Sequence, residues 1–244
     1  MKKEQAFWVV VPAAGAGRRM GGDIPKQYLM LCGKSVLDHS LEHFVSNPRI
    51  RGVYVPLSPH DAWWSKSRYS DHPGVVRVDG GDERAQSVLN ALRALDKVAN
   101  PDDWVLVHDA ARPCLRQGDL NRLMERLSEH PVGGILGTPL HDTVKRADRS
   151  GGVIETLPRE EIWRAFTPQM FHLGALRLAL ESAFEAGVPV TDEAAAMERI
   201  GEAPELIEGH ADNIKITHPQ DLELAAFYLD RQQRPDLPPT QGPT

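Results

Sequence analysis

The stretch FWVVVPAAGAGRR, residues 7–19, joins a run of apolar β-forming residues to a glycine-containing loop that ends in two arginines. A short, continuous apolar run is typical of a strand buried on both faces of a parallel sheet. Glycine and alanine directly after such a strand let backbone N–H groups approach a phosphate closely. The lysines at the start resemble those of a signal peptide, but Glu4 and the early Pro12 favour a buried first strand over residues 7–11.

Strand-like and helix-like patterns alternate through the first half of the chain. Strands are predicted over 7–11, 52–57, 75–78 and 104–107, all buried on both faces, and helices over 35–44, 84–95 and 117–129. Strict alternation of this kind favours an α/β three-layer sandwich with a mostly parallel, Rossmann-like sheet.

The rhythm changes after Gly134. A strand over 135–140 leads into a polar stretch that turns at Gly151 and Gly152, which predicts a β-hairpin arm at about 139–160. An isolated two-stranded hairpin is marginal in water, so we expect the arm to pack on a second subunit. The further elements predicted are a helix over 173–186, strands over 205–208 and 214–217, and a helix over 219–229.

Composition sets the class of protein. The chain has 244 residues, a net charge of −6 and two cysteines, which disfavours a broad nucleic-acid interface and a disulfide scaffold. No apolar run has the length that a membrane span needs. We predict a cytoplasmic protein with one domain over 1–232 and a Pro- and Gln-rich disordered tail over 233–244.

The loop after the first strand matches neither of two common phosphate-binding motifs. No Lys-Ser or Lys-Thr follows its last glycine, Met20 stands where a dinucleotide fingerprint needs its third glycine, and Asp38 falls inside a helical pattern. The loop carries cations instead: Arg18, Arg19 and Lys26. Local positive charge favours a triphosphate over a neutral ligand, the alternative being a solvated turn.

Two other stretches carry acidic residues after predicted strands. In DGGDERAQS, residues 79–87, Asp82 occupies a helix N-cap position, and the stretch alone is typical of a plain strand–helix joint. In VHDAARP, residues 107–113, Asp109 follows a buried strand at the edge where open α/β sheets bind ligands. Asp109 is a candidate ligand for Mg²⁺, or a cap of the next turn.

Taken together, these motifs resemble those of a known enzyme family. PAAGAGRRM (12–20) with PKQY (25–28) is similar to the signature of nucleotidyltransferases that couple a nucleoside triphosphate to a phosphorylated polyol. The remaining motifs narrow the resemblance to the 2-C-methyl-D-erythritol 4-phosphate cytidylyltransferase family: DGGDER (79–84), HDAARP (108–113), TPQ (167–169), TDEA (191–194) and ADNIKIT (211–217). The resemblance covers residues 6–230.

The resemblance implies the nucleotidyltransferase fold and a reaction of CTP with methylerythritol phosphate that needs Mg²⁺ or another divalent cation. The residues it places at the cytosine and ribose are Ala13, Ala14, Gly81, Asp82 and Ser87. Those it places at the triphosphate are Gly15, Arg19 and Lys26, with Asp109 beside the metal and ribose and Lys215 at the α-phosphate. Arg19, Lys26 and Lys215 are then the catalytic cations.

For the second substrate, the resemblance implies a site that two subunits share. The residues it assigns to methylerythritol phosphate are Arg112, Thr143, Arg159, Thr167, Thr191 and Asp212. Arg159 and the hairpin arm are expected to come from the partner in a homodimer. Read alone, TDEA (191–194) is a helix start capped by Thr191 or Asp192.

The chemistry accounts for the cationic character of this set. The second pKa of a phosphate monoester is about 6, so the acceptor is mostly a dianion at neutral pH and needs no general base. Two alternatives remain at this stage. One is a cytidylyltransferase for another polyol phosphate, such as ribitol 5-phosphate, and the other is a nucleotide-binding module without catalysis.

Overall fold

A computed structural model of the chain describes residues 6–15 and 24–234. The strands are β1 (Phe7–Val10), β2 (Met30–Leu31), β3 (Lys34–Ser35), β4 (Ile50–Leu57), β5 (Val75–Asp79), β6 (Trp104–Val107), β7 (Gly133–Pro139), β8 (Val144–Ala147), β9 (Val153–Leu157), β10 (Trp163–His172) and β11 (Glu205–Glu208). The helices are α1 (Val36–Val45), α2 (Arg84–Leu95), α3 (Gln117–Leu127), α4 (Leu173–Glu185), α5 (Glu193–Arg199) and α6 (Gln220–Gln233).

Seven strands form one sheet in the order β11-β7-β10-β6-β1-β4-β5. All neighbours are parallel except β10, which runs antiparallel to both β6 and β7. The predicted α/β class and mostly parallel sheet are therefore confirmed. β1 lies between β4 and β6, so the loop that follows it is at the middle of the carboxyl edge.

The alternating side chains of β1 show why the sheet has helices on both faces. Phe7 and Val9 pack into one apolar cluster with α1 and α3, whereas Trp8 and Val10 pack into a second cluster with α2, α4 and α5. Each cluster buries apolar surface that a single helix layer would leave in water. The continuous apolar run of the first strand reflects burial on both faces.

Two predictions about strands are wrong. No strand forms over 214–217; the backbone N–H of Ile216 donates to the carbonyl of Ala111 at 2.8 Å, and Ile216 packs in a third apolar cluster with α6. This segment therefore crosses the loop after β6 instead of extending the sheet. β5 is an edge strand with half-buried and exposed residues, because it has a strand neighbour only on its β4 side.

The second half of the chain contains the hairpin and the last helix. β8 and β9 form a separate two-stranded antiparallel sheet, and none of their residues is buried. α6 continues to Gln233, so the helix includes residues that the sequence assigned to the tail. The tail beyond residue 234 lies outside the described residues, and the division into one domain and a tail stays a prediction. No helix in the described part of the chain is long and apolar enough to cross a membrane.

Candidate active site

The carboxylate of Asp109 is the centre of the site. Asp109 follows β6 and is 6% exposed. Its Oδ1 accepts from Nε of Arg84 at 3.0 Å, and its Oδ2 lies 3.2 Å from Nε of Arg112 and 2.9 Å from Nζ of Lys215. Burial alone would raise the pKa of Asp109, but the charges of Arg84, Lys215 and Arg112 hold it well below its usual range. The carboxylate is therefore ionised at any physiological pH, and two of its three cations, Arg84 and Lys215, come from distant parts of the sequence.

Arg84 links Asp109 to a second buried carboxylate. Its Nη1 and Nη2 donate to the two carboxylate oxygens of Glu193 at 2.8 and 3.1 Å, and Glu193 is 1% exposed. Burial alone would lower the pKa of Arg84, but Glu193 and Asp109 together raise it above its usual value. Arg84 begins α2 and Glu193 begins α5, so the two ion pairs fix both helix starts beside the end of β6. The sequence analysis quoted both residues within motifs but gave neither a role.

A chain of hydrogen bonds fixes the loop that carries Asp109. The backbone N–H of Asp109 donates to Oγ1 of Thr167 at 3.0 Å, and the Thr167 hydroxyl lies 3.0 Å from Nδ1 of His108. Nε2 of His108 lies 3.0 Å from the carbonyl of Arg112. Since a carbonyl only accepts, Nε2 carries the ring proton and the Thr167 hydroxyl donates to Nδ1. The proton of Thr167 is thus already engaged within the protein.

His108 stays neutral in this chain. It is fully buried, and burial lowers its pKa to about 3, which outweighs the opposing effects of the Arg112 carbonyl and Asp109. A neutral imidazole is required here because Nδ1 must accept a hydrogen bond. His108 thereby supports the loop after β6 and holds no proton for the reaction.

Lys26, distant in sequence from Lys215, contacts the backbone directly after it. Nζ of Lys26 donates to the carbonyl of Ile216 at 2.9 Å, and the preceding residue is Lys215. Asn213 stabilises the same segment: its side-chain amide donates to the carbonyl of Thr167 at 2.8 Å, and its carbonyl accepts from Nη1 of Arg112 at 2.7 Å. The irregular segment 211–217 is therefore fixed by hydrogen bonds to three other parts of the chain.

Hydrogen bonds fix the described start of the loop after β1, residues 11–15. The backbone N–H of Ala13 donates to the carbonyl of Pro56 at 2.9 Å, and the side-chain amide of Gln27 donates to the carbonyls of Ala13 and Gly15 at 2.8 and 3.1 Å. Gly15 is exposed, and the half-buried Ala14 precedes it. The predicted catalytic residue Arg19 lies outside the described residues. Gln27 is 4% exposed and is another residue for which the sequence analysis gave no role.

The turn before α2 packs directly against this loop. A Cβ at Gly80 would lie 2.5 Å from Cβ of Ala14, so only glycine permits the approach. Oγ of Ser87 accepts from the backbone N–H of Gly81 at 3.0 Å. Asp82 is exposed and is not the N-cap: α2 is capped by Glu83, without a side-chain hydrogen bond, because the helix begins one residue later than an Asp82 cap requires. Gly81, Asp82 and Ser87 thus line one turn beside Ala14.

The carboxylate of Asp212 is only half satisfied. Its Oδ2 accepts from Arg116 through Nη2 at 2.6 Å and from the side-chain amide of Gln232, on α6, at 3.1 Å. The same amide donates to the carbonyl of Cys114 at 2.9 Å. Oδ1 of Asp212 is buried and has no hydrogen-bond partner among the described residues. A buried acceptor of this kind is costly unless a ligand supplies a donor.

The three other residues predicted for the acceptor are peripheral. Thr143, Arg159 and Thr191 are exposed, and Nη1 of Arg159 donates to the carbonyl of His141 at 2.6 Å, within the hairpin region. Within the part of the chain that the structure describes, no hydrogen bond or ion pair joins these residues to Asp109. Asp192, next to Thr191, caps α5 by accepting from the N–H of Ala195 at 2.9 Å.

The described residues form no ready-made divalent-cation site. No group of three metal-ligating side chains occurs within residues 6–15 and 24–234. Both oxygens of Asp109 already accept from cations, so a metal ion bound there would lie next to the positive charges of Arg84, Arg112 and Lys215. Asp109 as a ligand of Mg²⁺ stays a prediction.

Comparison with known proteins gives a consistent result. The sequence model of one family, 2-C-methyl-D-erythritol 4-phosphate cytidylyltransferase (IspD), matches residues 7–231. The chain is 52% identical over 229 residues to a protein of that name from Hahella chejuensis, covering 94% of this chain and 95% of the relative. It is 56% identical over 218 residues to the one from Pseudomonas aeruginosa, covering 89% and 93%.

Solved structures agree with the sequence comparison. The chain superposes on the cytidylyltransferase of that name from Francisella tularensis with a TM-score of 0.80 at 39% identity, covering 92% of this chain and 100% of the other. A crystal structure of a 4-diphosphocytidyl-2C-methyl-D-erythritol synthase gives a TM-score of 0.82 at 37% identity, covering 93% and 100%.

The neutral state of His108 predicts a pH dependence of stability. An unfolded histidine takes up a proton near pH 6.5, whereas folded His108 does so near pH 3. The free energy of unfolding should therefore fall as pH drops from 7 to 5, by up to about 1.4 kcal/mol per pH unit for each such group. His43, whose pKa burial also lowers, adds to the slope. The measurement is urea denaturation at pH 7, 6 and 5.

The variant His108→Gln supplies the control for this prediction. It removes one titrating group, so its slope between pH 7 and 5 should be shallower by about one proton. The exposed His60 offers a matched substitution, His60→Gln, that should leave the slope unchanged. Equal slopes for His108→Gln and the unmodified protein would contradict a neutral, buried His108.

Proposed function

Since this chain belongs to the 2-C-methyl-D-erythritol 4-phosphate cytidylyltransferase family, we propose that its two substrates react beside Asp109, between Lys215 and Arg112. The protein is a cytidylyltransferase: it couples CTP with 2-C-methyl-D-erythritol 4-phosphate to give 4-diphosphocytidyl-2-C-methyl-D-erythritol and diphosphate. The observation that carries the proposed site is the pair of lysine contacts at residues 215–216: Nζ of Lys215 pairs with the Asp109 carboxylate, and Nζ of Lys26 donates to the carbonyl of Ile216.

The reaction that this site would support is an in-line displacement. An oxygen of the acceptor phosphate attacks the α-phosphorus of CTP, the bond to the β-phosphate oxygen breaks, and diphosphate leaves. The attacking group is already a dianion, so the protein has to hold two anions together and stabilise the charge that develops at the α-phosphorus. Lys26 and Lys215, with Arg19, are the cations we assign to this task.

Lys215 is suited to move between two partners. Its side chain is 41% exposed, and its Nζ pairs with Oδ2 of Asp109 at 2.9 Å in the described arrangement. Arg84 and Arg112 would continue to neutralise Asp109 if Lys215 turned to a phosphate. We therefore propose that Asp109 positions Lys215 before CTP binds, and that Lys215 then exchanges Asp109 for the α-phosphate as its ion-pair partner.

We assign the nucleotide to the loop after β1 and the turn before α2, which pack against each other. The contacts between Gly80 and Ala14 and between Gly81 and Ser87 bring backbone groups of both segments to one place. Backbone and amide groups can distinguish the amine of cytosine from the carbonyl of uracil. Ala13, Asp82 and Ser87 stay our proposed cytosine and ribose contacts, and Gly15 stays at the triphosphate.

The acceptor site we propose contains Arg112, Thr167 and Asp212. The unpartnered Oδ1 of Asp212 is suited to accept a hydrogen bond from a hydroxyl group of the polyol. Because the hydroxyl proton of Thr167 is engaged by His108, Thr167 would act by positioning the loop or by accepting a further hydrogen bond. Thr143 and Thr191 would contact the polyol from the rim.

We propose that Mg²⁺ enters on the nucleotide, as the magnesium complex of CTP. Magnesium usually keeps several waters and binds to substrate phosphates together with one or two carboxylates. This fits a site whose single central carboxylate is already surrounded by cations. Asp109 would then lie beside the ion once Lys215 has turned away.

We also propose a homodimer in which the hairpin of β8 and β9 packs on the partner. Val153 and Ile154 on β9 are 65% and 57% exposed, which is unfavourable for apolar side chains of an isolated hairpin. Arg159 lies beyond this hairpin and makes its hydrogen bond within the hairpin region. A partner would cover the apolar residues and receive Arg159 in its acceptor site.

We assign the enzyme to the cytoplasm.

Acceptor specificity tests the function directly. Diphosphate release from CTP and Mg²⁺ is measured with 2-C-methyl-D-erythritol 4-phosphate and with ribitol 5-phosphate in parallel. We expect release with the first acceptor only. Release with ribitol 5-phosphate alone would move the assignment to another polyol phosphate. CTP binding without release from either acceptor would point to a binding module.

Lysine variants test the catalytic assignment. Lys26→Ala and Lys215→Ala should each lower turnover about a hundredfold or more, because each removes a charge aimed at the α-phosphorus. Lys97→Ala, which removes an exposed lysine just beyond the end of α2, should leave turnover within about twofold. Steady-state diphosphate release gives the rates. Falls of less than about tenfold for both site lysines would exclude them from the mechanism.

The proposed homodimer predicts that charged residues on the exposed face of β9 will separate the two subunits. The unmodified protein should have about twice the 27.0 kDa mass of one chain in light scattering. Val153→Asp with Ile154→Asp should give single chains with lowered activity, because charges would replace the covered apolar contacts. Val98→Asp, at another exposed apolar residue, should stay dimeric. A fully active single chain at micromolar concentration would contradict the shared site.

A further inference from the structure

Two arginines pack against one aromatic ring at the acceptor end of the site. The ring belongs to Phe166, which is 2% exposed. The guanidinium carbon of Arg112 lies 5.5 Å from its centroid, and that of Arg164 lies 5.3 Å from the same centroid. A guanidinium at this distance from a ring is attracted to it and loses freedom to move. The ring therefore orients both cations.

The backbone explains why Arg164 lies here. Arg164 and Phe166 are two residues apart on β10, so their side chains leave the strand on the same side. In the register of β10 with β7, Arg164 lies opposite Thr138. This register is interrupted between Ala165 and Gln169, where Thr167 contacts Asp109. Arg164 is thus the exposed residue just before the irregular part of β10 that enters the site.

Arg164 differs from three other arginines near the site, each of which has a carboxylate partner. Arg84 and Arg112 pair with Asp109, and Arg116 pairs with Asp212. Arg164 forms no ion pair with a carboxylate in the part of the chain that the structure describes.

The charge of Arg164 acts on the pKa of Arg112. Burial lowers the pKa of Arg112, Asp109 opposes this, and the charge of Arg164 adds to the lowering. Two cations held against the same ring repel each other, and an anion that binds both would stabilise them. The planar guanidinium group suits such an anion, since it donates two parallel hydrogen bonds to phosphate oxygens.

We propose that Arg164 binds the phosphate group of the acceptor together with Arg112, and thereby determines the affinity for a phosphorylated polyol. This inference rests on the proposed function of the site. Arg164 comes from the same chain as Asp109, so it would hold the acceptor phosphate independently of the partner's hairpin.

The test is steady-state kinetics of Arg164→Ala and Arg164→Lys with both substrates varied. Arg164→Ala should raise KM for 2-C-methyl-D-erythritol 4-phosphate about tenfold, with KM for CTP and kcat changed by less than about twofold, as expected for one lost charge-assisted hydrogen bond. Arg164→Lys, which keeps the charge and loses the planar fork, should give an intermediate KM. The salt dependence of kcat/KM for the acceptor should weaken in Arg164→Ala.

Arg126→Ala is the matched control. It removes an exposed arginine at the end of α3, ion-paired with Glu205, and should leave both KM values unchanged. An unmodified enzyme that releases diphosphate, with an unchanged acceptor KM in Arg164→Ala, would overturn the inference and leave the proposed function intact. A comparable fall of kcat in Arg164→Ala, measured with both substrates saturating, would also overturn the inference. Arg164 would then act through the fold. An inactive unmodified enzyme would instead overturn the proposed function.

Discussion

The buried carboxylate of Asp109 is the interaction on which the rest of the site depends. Removing an ion from water costs several kcal/mol, so a buried carboxylate persists only when cations and hydrogen bonds surround it. Here those cations come from the start of α2, from the loop after β6 and from the segment around Lys215. Glu193 extends the same network to α5. The need to neutralise one charge thus brings together segments that share no sheet hydrogen bonds.

The network also separates the residues that hold the site from those that can act on a ligand. His108 and the side-chain NH2 group of Asn213 are buried and engaged within the protein, whereas Oδ1 of Asn213 has no hydrogen-bond partner in the described chain. Lys215 is partly exposed, and Oδ1 of Asp212 has no partner in the described chain. A reaction between two anions needs positioned charge more than it needs proton transfer. The distribution of engaged and available groups matches that need.

Local pattern was sufficient for the regular elements and for part of the site. The limits of β6 and α2 follow from a continuous apolar run and from helical periodicity, and both agree with the structure. The segment 214–217 has the same apolar pattern as a strand, but its isoleucines pack under α6. Periodicity reports that a residue is buried and does not report which neighbour buries it.

The roles of Arg84 and Glu193 could not be predicted from the sequence for a related reason. Arg84 and Glu193 are 109 residues apart, and each is acceptable as an ordinary residue at a helix start. Thr167 could be assigned to the site only through the family resemblance, because its role depends on how β10 leaves its register with β7. The buried ion pairs and the hydrogen-bond chain arise from tertiary structure, which no short motif encodes.

The reach of Gln232 has a consequence for how the chain acquires its activity during synthesis. Its amide, near the end of α6, fixes Oδ2 of Asp212 and the carbonyl of Cys114. A ribosome makes the sheet strands β1, β4 and β6 long before it reaches this helix. The support that Gln232 gives to Asp212 is therefore among the last contacts of the described site that translation supplies.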